Sequence, residues 1–169
     1  MYNIIMETPR LILREFVPEE LAGLYRLYEE SDTRYIEPLS KDKDEELEKL
    51  KSYIHYIYGF YGFGLWAVCL KEDGRLIGRC GLQVEFIGDQ GDYELGYMIS
   101  GKLEGQGYAS EAVKAILEYA KEDLEAPRVV LRIHENNERS LKFAEKMGFR
   151  EMGVQLEKQP EIKLFVYDL

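Results

Sequence analysis

The sequence predicts one α/β (α+β) domain in which helices pack on a mixed sheet. Strand and helix patterns follow one another in the order β-α-α-β-β-β-α-β-α-β-β, with no internal repeat, low-complexity tract or linker. An Asp73-Gly74 pair between two apolar runs is a hairpin signal. A strongly amphipathic helix follows Gly107. The length of 169 residues fits a single domain over residues 1–169 with a sizeable core.

The first half of the chain combines short strand patterns with two amphipathic helices. Leu11 and Leu13 alternate with charged residues, which is the period of a half-buried strand. Pro18 suits the first turn of a helix, and a second helix is predicted over Lys43–Tyr58. The strands of this half are predicted over residues 10–16, 64–70, 75–86 and 91–100.

The second half begins with the helix that follows Gly107 and ends in two strands. The predicted inward face of this helix consists of Ala109, Ala112, Val113, Ile116, Leu117 and Ala120. A further helix precedes Gly148, which suits the residue after a helix C-terminus, and Asn136 or Asn137 is placed to cap its start. The strands of this half are predicted over residues 128–134, 149–157 and 162–169.

The composition argues against several classes of protein. The net charge of −10 disfavours nucleic acid as a partner, because phosphate contacts require basic side chains. The N-terminus lacks the pattern of a signal peptide, and no apolar stretch approaches the length of a membrane span, about 18 residues. We therefore expect a cytoplasmic protein without a membrane partner. Cys69 and Cys80 are expected to be buried reduced thiols, and no spacing of His and Cys indicates a metal site.

The segment EGQGYASEAVKAIL, residues 104–117, places two glycines directly before a helix. A Walker loop is excluded because Gln106 stands where the motif counted from Gly101 requires its second glycine. The dinucleotide fingerprint is incomplete because Ser110 replaces its third glycine. Two interpretations stay open. The turn is purely structural, or its bare amides at the start of the helix cradle a pyrophosphate.

The segments YELGYMI…GQGYASEAV and ENNERSLKFAEKMGF together resemble the GCN5-related N-acetyltransferase (GNAT) superfamily. METPRLILREF and RLIGRCGL are similar to the RimJ/RimL-type branch, which acetylates ribosomal-protein N-termini. The resemblance spans nearly the whole chain. It implies a mixed, mostly antiparallel central sheet flanked by helices, with a splayed strand pair that holds acyl-CoA. It also implies an acetyl-CoA-dependent N-acetyltransferase that transfers the acetyl group directly in a ternary complex, with no metal.

The resemblance assigns the residues that bind acetyl-CoA. In the family pattern Q/R-x-x-G-x-G/A, Glu104 stands in the place of Q/R, Gly107 is the glycine and Ala109 is the small residue. Glu104 departs from the pattern, but the loop acts mainly through backbone amides. The resemblance implies that Asn137 bonds the pantetheine arm, while a helix cap is its alternative role. The residues implied to cradle the pyrophosphate are Gly105, Gln106, Gly107, Tyr108 and Ala109.

Acetyl transfer to an amine requires a base, a polarised carbonyl and help for the leaving thiolate. The resemblance favours Glu94 as the base, acting through water, although a solvated strand carboxylate is the alternative interpretation. Backbone N–H groups near residues 95–97 are candidates for polarising the carbonyl. Ala144 stands where many relatives have an acidic tyrosine, so Ser140 is the candidate that hydrogen-bonds the thiolate, unless it is only a first-turn helix residue. His134 is a fallback base.

The acceptor is expected to be a primary amine, either a protein N-terminus or a small molecule such as a polyamine or an antibiotic. The aromatic segment YIHYIYGFYGF, residues 53–63, with Glu37, is a candidate surface for a cationic amine, whereas Trp66 is expected in the core. A rival interpretation is a non-catalytic acyl-CoA-binding sensor. The missing tyrosine favours that rival, and Glu94 with a complete loop opposes it. A monomer or a homodimer is expected.

Overall fold

The computed structural model describes residues 1–169 and contains one eight-stranded sheet flanked by helices. This confirms the predicted fold class. Its strands are β1 (Ile4–Glu7), β2 (Leu11–Arg14), β3 (Leu65–Leu70), β4 (Leu76–Ile87), β5 (Gln90–Ile99), β6 (Arg128–His134), β7 (Arg150–Gln155) and β8 (Ile162–Asp168). Its α-helices are α1 (Leu21–Glu29), α2 (Lys43–Ser52), α3 (Gly59–Tyr61), α4 (Tyr108–Glu122) and α5 (Glu138–Met147). Two 3-10 turns cover Pro18–Glu20 and Gly101–Leu103, and a π-helix covers Tyr53–Tyr58.

The strands lie in the order β1-β2-β3-β4-β5-β6-β8-β7. Strands β1 to β4 pair antiparallel in sequence, as do β6 with β8 and β8 with β7. Strands β5 and β6 are parallel, and α4 provides the crossover that a parallel connection requires. Their pairing joins Tyr93 to Val129 and Glu94 to Val130. A pairing this short is what a splayed strand pair is expected to show.

The chain divides into two compact units, of which the first comprises residues 1–82 and 96–115. One core cluster of this unit consists of Phe16, Leu24, Leu50, Ala67, Cys69 and Leu76. Trp66 is fully buried, which confirms its predicted place in the core. Cys69 and Cys80 are buried and unpaired, as predicted, and burial raises the pKa of the Cys69 thiol to about 11.

The second unit comprises residues 83–95 and 116–169. Strands β6 and β8 pair along their whole length, and a core cluster forms from Val130, Leu164 and Val166 with Ile87 and Met152 packed against it. Helix α5 starts at the predicted cap, where the Asn137 side-chain oxygen accepts from the Ser140 amide at 3.3 Å. It ends at Gly148, whose φ of 92° is the left-handed conformation expected after a helix. That residues 1–169 form one domain stays a prediction.

Strand β1 is the one strand that the sequence patterns did not predict. It has four residues, lies at the edge of the sheet and pairs with β2 through an irregular register between Ile4 and Met6. The Ile4–Glu7 segment has no strict alternation of apolar and polar residues, so no local pattern indicates a strand. A strand this short is stabilised by its pairing with β2. The turn to β2 is held by Thr8, whose hydroxyl accepts from the Leu11 amide at 3.0 Å.

The helix predicted over Lys43–Tyr58 is α-helical only to Ser52 and continues as a π-helix. The Tyr53 hydroxyl accepts from the Leu65 amide at 2.8 Å, and the Tyr58 hydroxyl donates to the Leu65 carbonyl at 2.5 Å. The two rings meet edge to face with centroids 5.3 Å apart. The wider π turn brings side chains five positions apart to the same strand residue, which is a tertiary requirement that helical periodicity does not reveal.

Candidate active site

The loop that precedes α4 bends twice through glycine. Gly105 has φ 74° and Gly107 has φ 81°, both in the left-handed region that other residues rarely adopt. Along α4, Glu111 is the first residue whose amide donates to a chain carbonyl, that of Gly107 at 3.0 Å. The amides before it lie at the N-terminus of a 15-residue helix, where the helix dipole is positive. The loop therefore has the backbone geometry of an anion-binding turn.

The turn between β1 and β2 contacts this loop through a set of bonds that we call the Arg10 clamp. Glu111 Oε1 accepts from the Thr8 hydroxyl at 2.6 Å and from the Arg10 amide at 2.8 Å, and Glu111 Oε2 accepts from Arg10 Nε at 2.6 Å. Arg10 Nη1 donates to the Gln106 carbonyl at 2.9 Å, and its guanidinium lies 4.2 Å from the centre of the Tyr108 ring. Burial alone would raise the pKa of Glu111, but these bonds outweigh it and lower the pKa.

The segment that leads from β5 into the loop is anchored to the end of α1. The Gly101 amide donates to the Glu30 carbonyl at 2.9 Å, and the buried Ser100 hydroxyl donates to Glu30 Oε2 at 2.8 Å. Lys102 pairs with Glu30 Oε1 at 2.9 Å. The bonds from Lys102 and Ser100 lower the pKa of the Glu30 carboxyl. The loop is thus held at its start as well as along its length.

Glu94 lies on β5 and is not a solvated carboxylate. Its side chain is 15% exposed, and Arg132 on β6 places Nε 2.6 Å from its Oε2. Arg132 Nη2 donates to Glu94 Oε1 at 3.3 Å and to Glu85 Oε2 at 3.2 Å, so one guanidinium serves two carboxylates. Burial raises the pKa of Glu94, and the pairing with Arg132 opposes that rise. A carboxylate with a raised pKa is better matched to proton abstraction near neutral pH.

Asn137, Ser140 and His134 all lie where β6 passes into α5. The cap bond of Asn137 uses its side-chain oxygen, so the side-chain N–H groups are not part of the cap. Ser140 is half-buried in the first turn of α5. His134 Nδ1 accepts from the Asn136 amide at 3.1 Å, so this histidine stabilises the turn between β6 and α5. Ala144 is fully buried, so the position of the missing tyrosine faces the interior.

The aromatic segment over residues 53–63 divides into two sets. Tyr53 and Tyr58 bind β3 as described above, whereas Tyr56, Phe60 and Tyr61 are exposed. An open groove beside Tyr53 and Tyr56 also contains Glu45 and Glu48, which pair with Lys49 and Lys51. Glu37 is exposed. That this segment receives the amine stays a prediction.

The sequence patterns missed three charged residues that the structure brings to the predicted site residues. Arg132 stands between the buried Leu131 and Ile133 on β6, but its pairing with Glu94 depends on a parallel register that no local pattern reveals. Arg10 and Glu111 are about a hundred positions apart. No cluster of three or more His, Cys, Asp or Glu side chains is arranged to bind a metal ion. None of the helices combines the length and apolarity that crossing a membrane requires.

Comparison with known proteins points to one family. A family model described as the acetyltransferase (GNAT) domain matches residues 10–150. The Bacillus subtilis (strain 168) protein YkkB is 35% identical over 88 residues, 52% of this chain and 51% of that relative, so the match spans about half the relative's length. The acetyltransferase from Agrobacterium tumefaciens str. C58 superposes with a TM-score of 0.79 and 26% identity, over 100% of this chain and 98% of that one.

A third comparison is informative about the fold alone. The structure titled RimL, ribosomal L7/L12 alpha-N-protein acetyltransferase, has a TM-score of 0.80 and 18% identity, over 100% of this chain and 96% of that one.

Proposed function

The chain belongs to the acetyltransferase (GNAT) domain family, and on that premise we propose that it is an acetyl-CoA-dependent N-acetyltransferase acting on a primary amine. The observation that carries this proposal is the loop of residues 104–109, in which two left-handed glycines expose backbone amides at the start of α4. Such a loop suits a pyrophosphate, because several amides and the positive helix end meet the same anion.

The chain's own groups fit acetyl-CoA, which supplies the acetyl group as an activated thioester. We assign the pyrophosphate to the backbone of Gly105, Gln106, Gly107, Tyr108 and Ala109. The side-chain amide of Asn137, whose cap bond uses only the oxygen, bonds the pantetheine arm. Glu104 contributes no positive charge to the loop, so the backbone supplies most of the attraction.

Glu94 takes the proton that the attacking amine must lose, through an intervening water. Its ion pair with Arg132 keeps it ionised, while burial raises its affinity for a proton. The amide groups of residues 95–97, directly after it on β5, are the candidates for polarising the thioester carbonyl. The nitrogen–carbon bond forms as the carbon–sulfur bond breaks, and the thiolate leaves with a hydrogen bond from the Ser140 hydroxyl.

The acceptor class is tested with a panel of amines and a measurement of free thiol release. A peptide with a free N-terminus, a polyamine and an aminoglycoside represent the protein, polyamine and antibiotic acceptors. We expect thiol release that requires both acetyl-CoA and one class of amine, and that rises with pH as free amine accumulates. Tight CoA binding without release from any amine would overturn the enzyme proposal and support a sensor. The cytoplasmic location, the RimJ/RimL-type assignment and the oligomeric state stay predictions.

Substituting Ser140→Ala should lower kcat by about tenfold, because one hydrogen bond to a charged leaving group contributes about 1.5 kcal/mol. The variant keeps the Ser140 amide, so the Asn137 cap and the affinity for CoA should be unchanged. Steady-state kinetics and calorimetric CoA titration measure the two quantities. Ser140→Thr keeps a hydroxyl and is the matched control. Parent rates in Ser140→Ala would assign the serine a structural role only.

A further inference from the structure

We propose that Arg10 is a positioning residue for the acyl-CoA loop, because its bond to the Gln106 carbonyl orients the Gly107 amide toward the pyrophosphate. The inference rests on the proposed function and adds a residue to it. All the groups it uses belong to the first compact unit, which contains residues 1–82 and 96–115.

The Arg10 side chain is fixed before it reaches the loop. The Arg10 amide donates to Glu111 at 2.8 Å, and the Arg10 carbonyl accepts from the Lys71 amide at 2.9 Å. Its Nε donates to Glu111 Oε2 at 2.6 Å, and the guanidinium stacks 4.2 Å from the centre of the Tyr108 ring. Because the backbone, the Nε atom and the face of the guanidinium are already held, the side chain loses little conformational freedom when Nη1 makes its bond.

The bond that matters is the one from Arg10 Nη1 to the Gln106 carbonyl, 2.9 Å long. In a planar trans peptide, the carbonyl of one residue and the amide of the next point in opposite directions. Drawing the Gln106 carbonyl toward Arg10 therefore turns the Gly107 amide away from Arg10. In this orientation Gly107 has a left-handed φ of 81°, a conformation that glycine adopts at low cost and other residues do not.

The position of Arg10 relative to Gly107 agrees with this assignment. A Cβ built on Gly107 would lie 3.4 Å from Arg10 Nη2, so the guanidinium occupies the side on which a side chain would project. The loop contains no basic residue, since Glu104 stands where the family pattern has Q or R. Arg10 acts by orientation and not as an added positive charge, because Glu111 already neutralises it at 2.6 Å.

The test compares two acetyl donors, acetyl-CoA and S-acetylpantetheine, which lacks the pyrophosphate. Arg10→Gln should raise the KM for acetyl-CoA and the Kd for CoA by about tenfold. It should leave kcat/KM with S-acetylpantetheine unchanged, whereas general damage to the fold would lower both. The control is Arg150→Gln, which removes a surface pair with Asp168 of 3.0 Å and should change neither donor. Equal losses on both donors would overturn the inference.

Two further variants separate orientation from charge and cover a failure of Arg10→Gln to fold. Arg10→Lys keeps the charge but replaces the planar guanidinium, whose Nε bonds Glu111 and whose Nη1 bonds the Gln106 carbonyl, with one ammonium nitrogen on a flexible stem. We therefore expect the same loss for acetyl-CoA. Glu111→Gln releases the guanidinium and removes a negative charge near the loop. Orientation predicts weaker CoA binding in this variant, and a charge role predicts equal or tighter binding. Restored affinity in Arg10→Lys, or tighter binding in Glu111→Gln, would overturn the inference. A parent protein that acetylates from neither donor would overturn the proposed function itself.

Discussion

Glu94→Gln should lower turnover by about 10²–10⁴ near neutral pH. A lysine-type amine, with a pKa of about 10.4, arrives almost wholly protonated, so a base that removes its proton controls the rate. Glutamine keeps the shape and a hydrogen bond to Arg132 but cannot accept the proton. The deficit should shrink as the pH approaches the pKa of the amine, because free amine then forms without help. A pH–rate profile of both proteins with the accepted amine measures this.

The raised pKa of Glu94 determines the direction in which the acid limb of that profile, the fall of the rate at low pH, is displaced. The carboxyl works as a base only when ionised, so the parent rate should fall at a pH above the ordinary value of about 4.3 for Glu. Glu94→Gln should lack this limb. Glu85→Gln is the matched control, because Glu85 shares Arg132 at 3.2 Å and is not the proposed base. Superimposable profiles for parent and Glu94→Gln would remove Glu94 from the mechanism and move attention to His134.

Gly107→Val should weaken CoA binding by about a hundredfold, measured by titration calorimetry. Valine at φ 81° is strained, and its Cβ would lie 3.4 Å from Arg10 Nη2. The loop must therefore change conformation, and its amides lose their common direction. Loss of one or two bonds to a charged phosphate, each about 1.5–3 kcal/mol, corresponds to a change of this size.

The control for Gly107→Val is Gly74→Val in the β3–β4 hairpin. Gly74 has φ 73°, and a Cβ there would meet nothing within 4 Å, so the backbone strain is similar and the loop is untouched. Gly74→Val should lower the unfolding temperature and leave CoA affinity at the parent value. If a folded Gly107→Val protein binds CoA as the parent does, the pyrophosphate does not lie on residues 105–109.

Local features of the sequence were sufficient for much of the fold. Asp73-Gly74 forms the predicted hairpin, in which the Leu70 amide donates to the Arg75 carbonyl at 3.0 Å. The inward face predicted for α4 is buried at Ala112, Val113 and Ile116. These features depend on turn chemistry and helical period, both of which act over a few residues. The π-helix at Tyr53–Tyr58 was not predicted, because bonds to Leu65 determine it.

In the candidate site, the sequence predicted the glycine loop but not the ion pairs around it. Gly105 and Gly107 were singled out by position before a helix, and both adopt the left-handed conformation. Arg132 could not be assigned to Glu94, because 38 positions separate them and only the parallel register of β5 and β6 brings them together. The resemblance to a family, and not the periodicity, connected Glu94 and Ser140 to acetyl transfer.

The Arg10 clamp joins residues that are 96 to 103 positions apart, and this separation has a consequence for folding order. Contacts that close so long a stretch must overcome loop-closure entropy before they contribute stability, so we expect them to form late. The turn between β1 and β2 is synthesised before α4 and cannot complete these bonds until α4 exists. We therefore expect the loop of residues 104–109 to reach its final conformation late in folding, and the proposed acyl-CoA ligand to stabilise the docked strand β1 in turn. Tags placed at Met1, or deletions within residues 1–10, should then weaken the proposed binding of CoA.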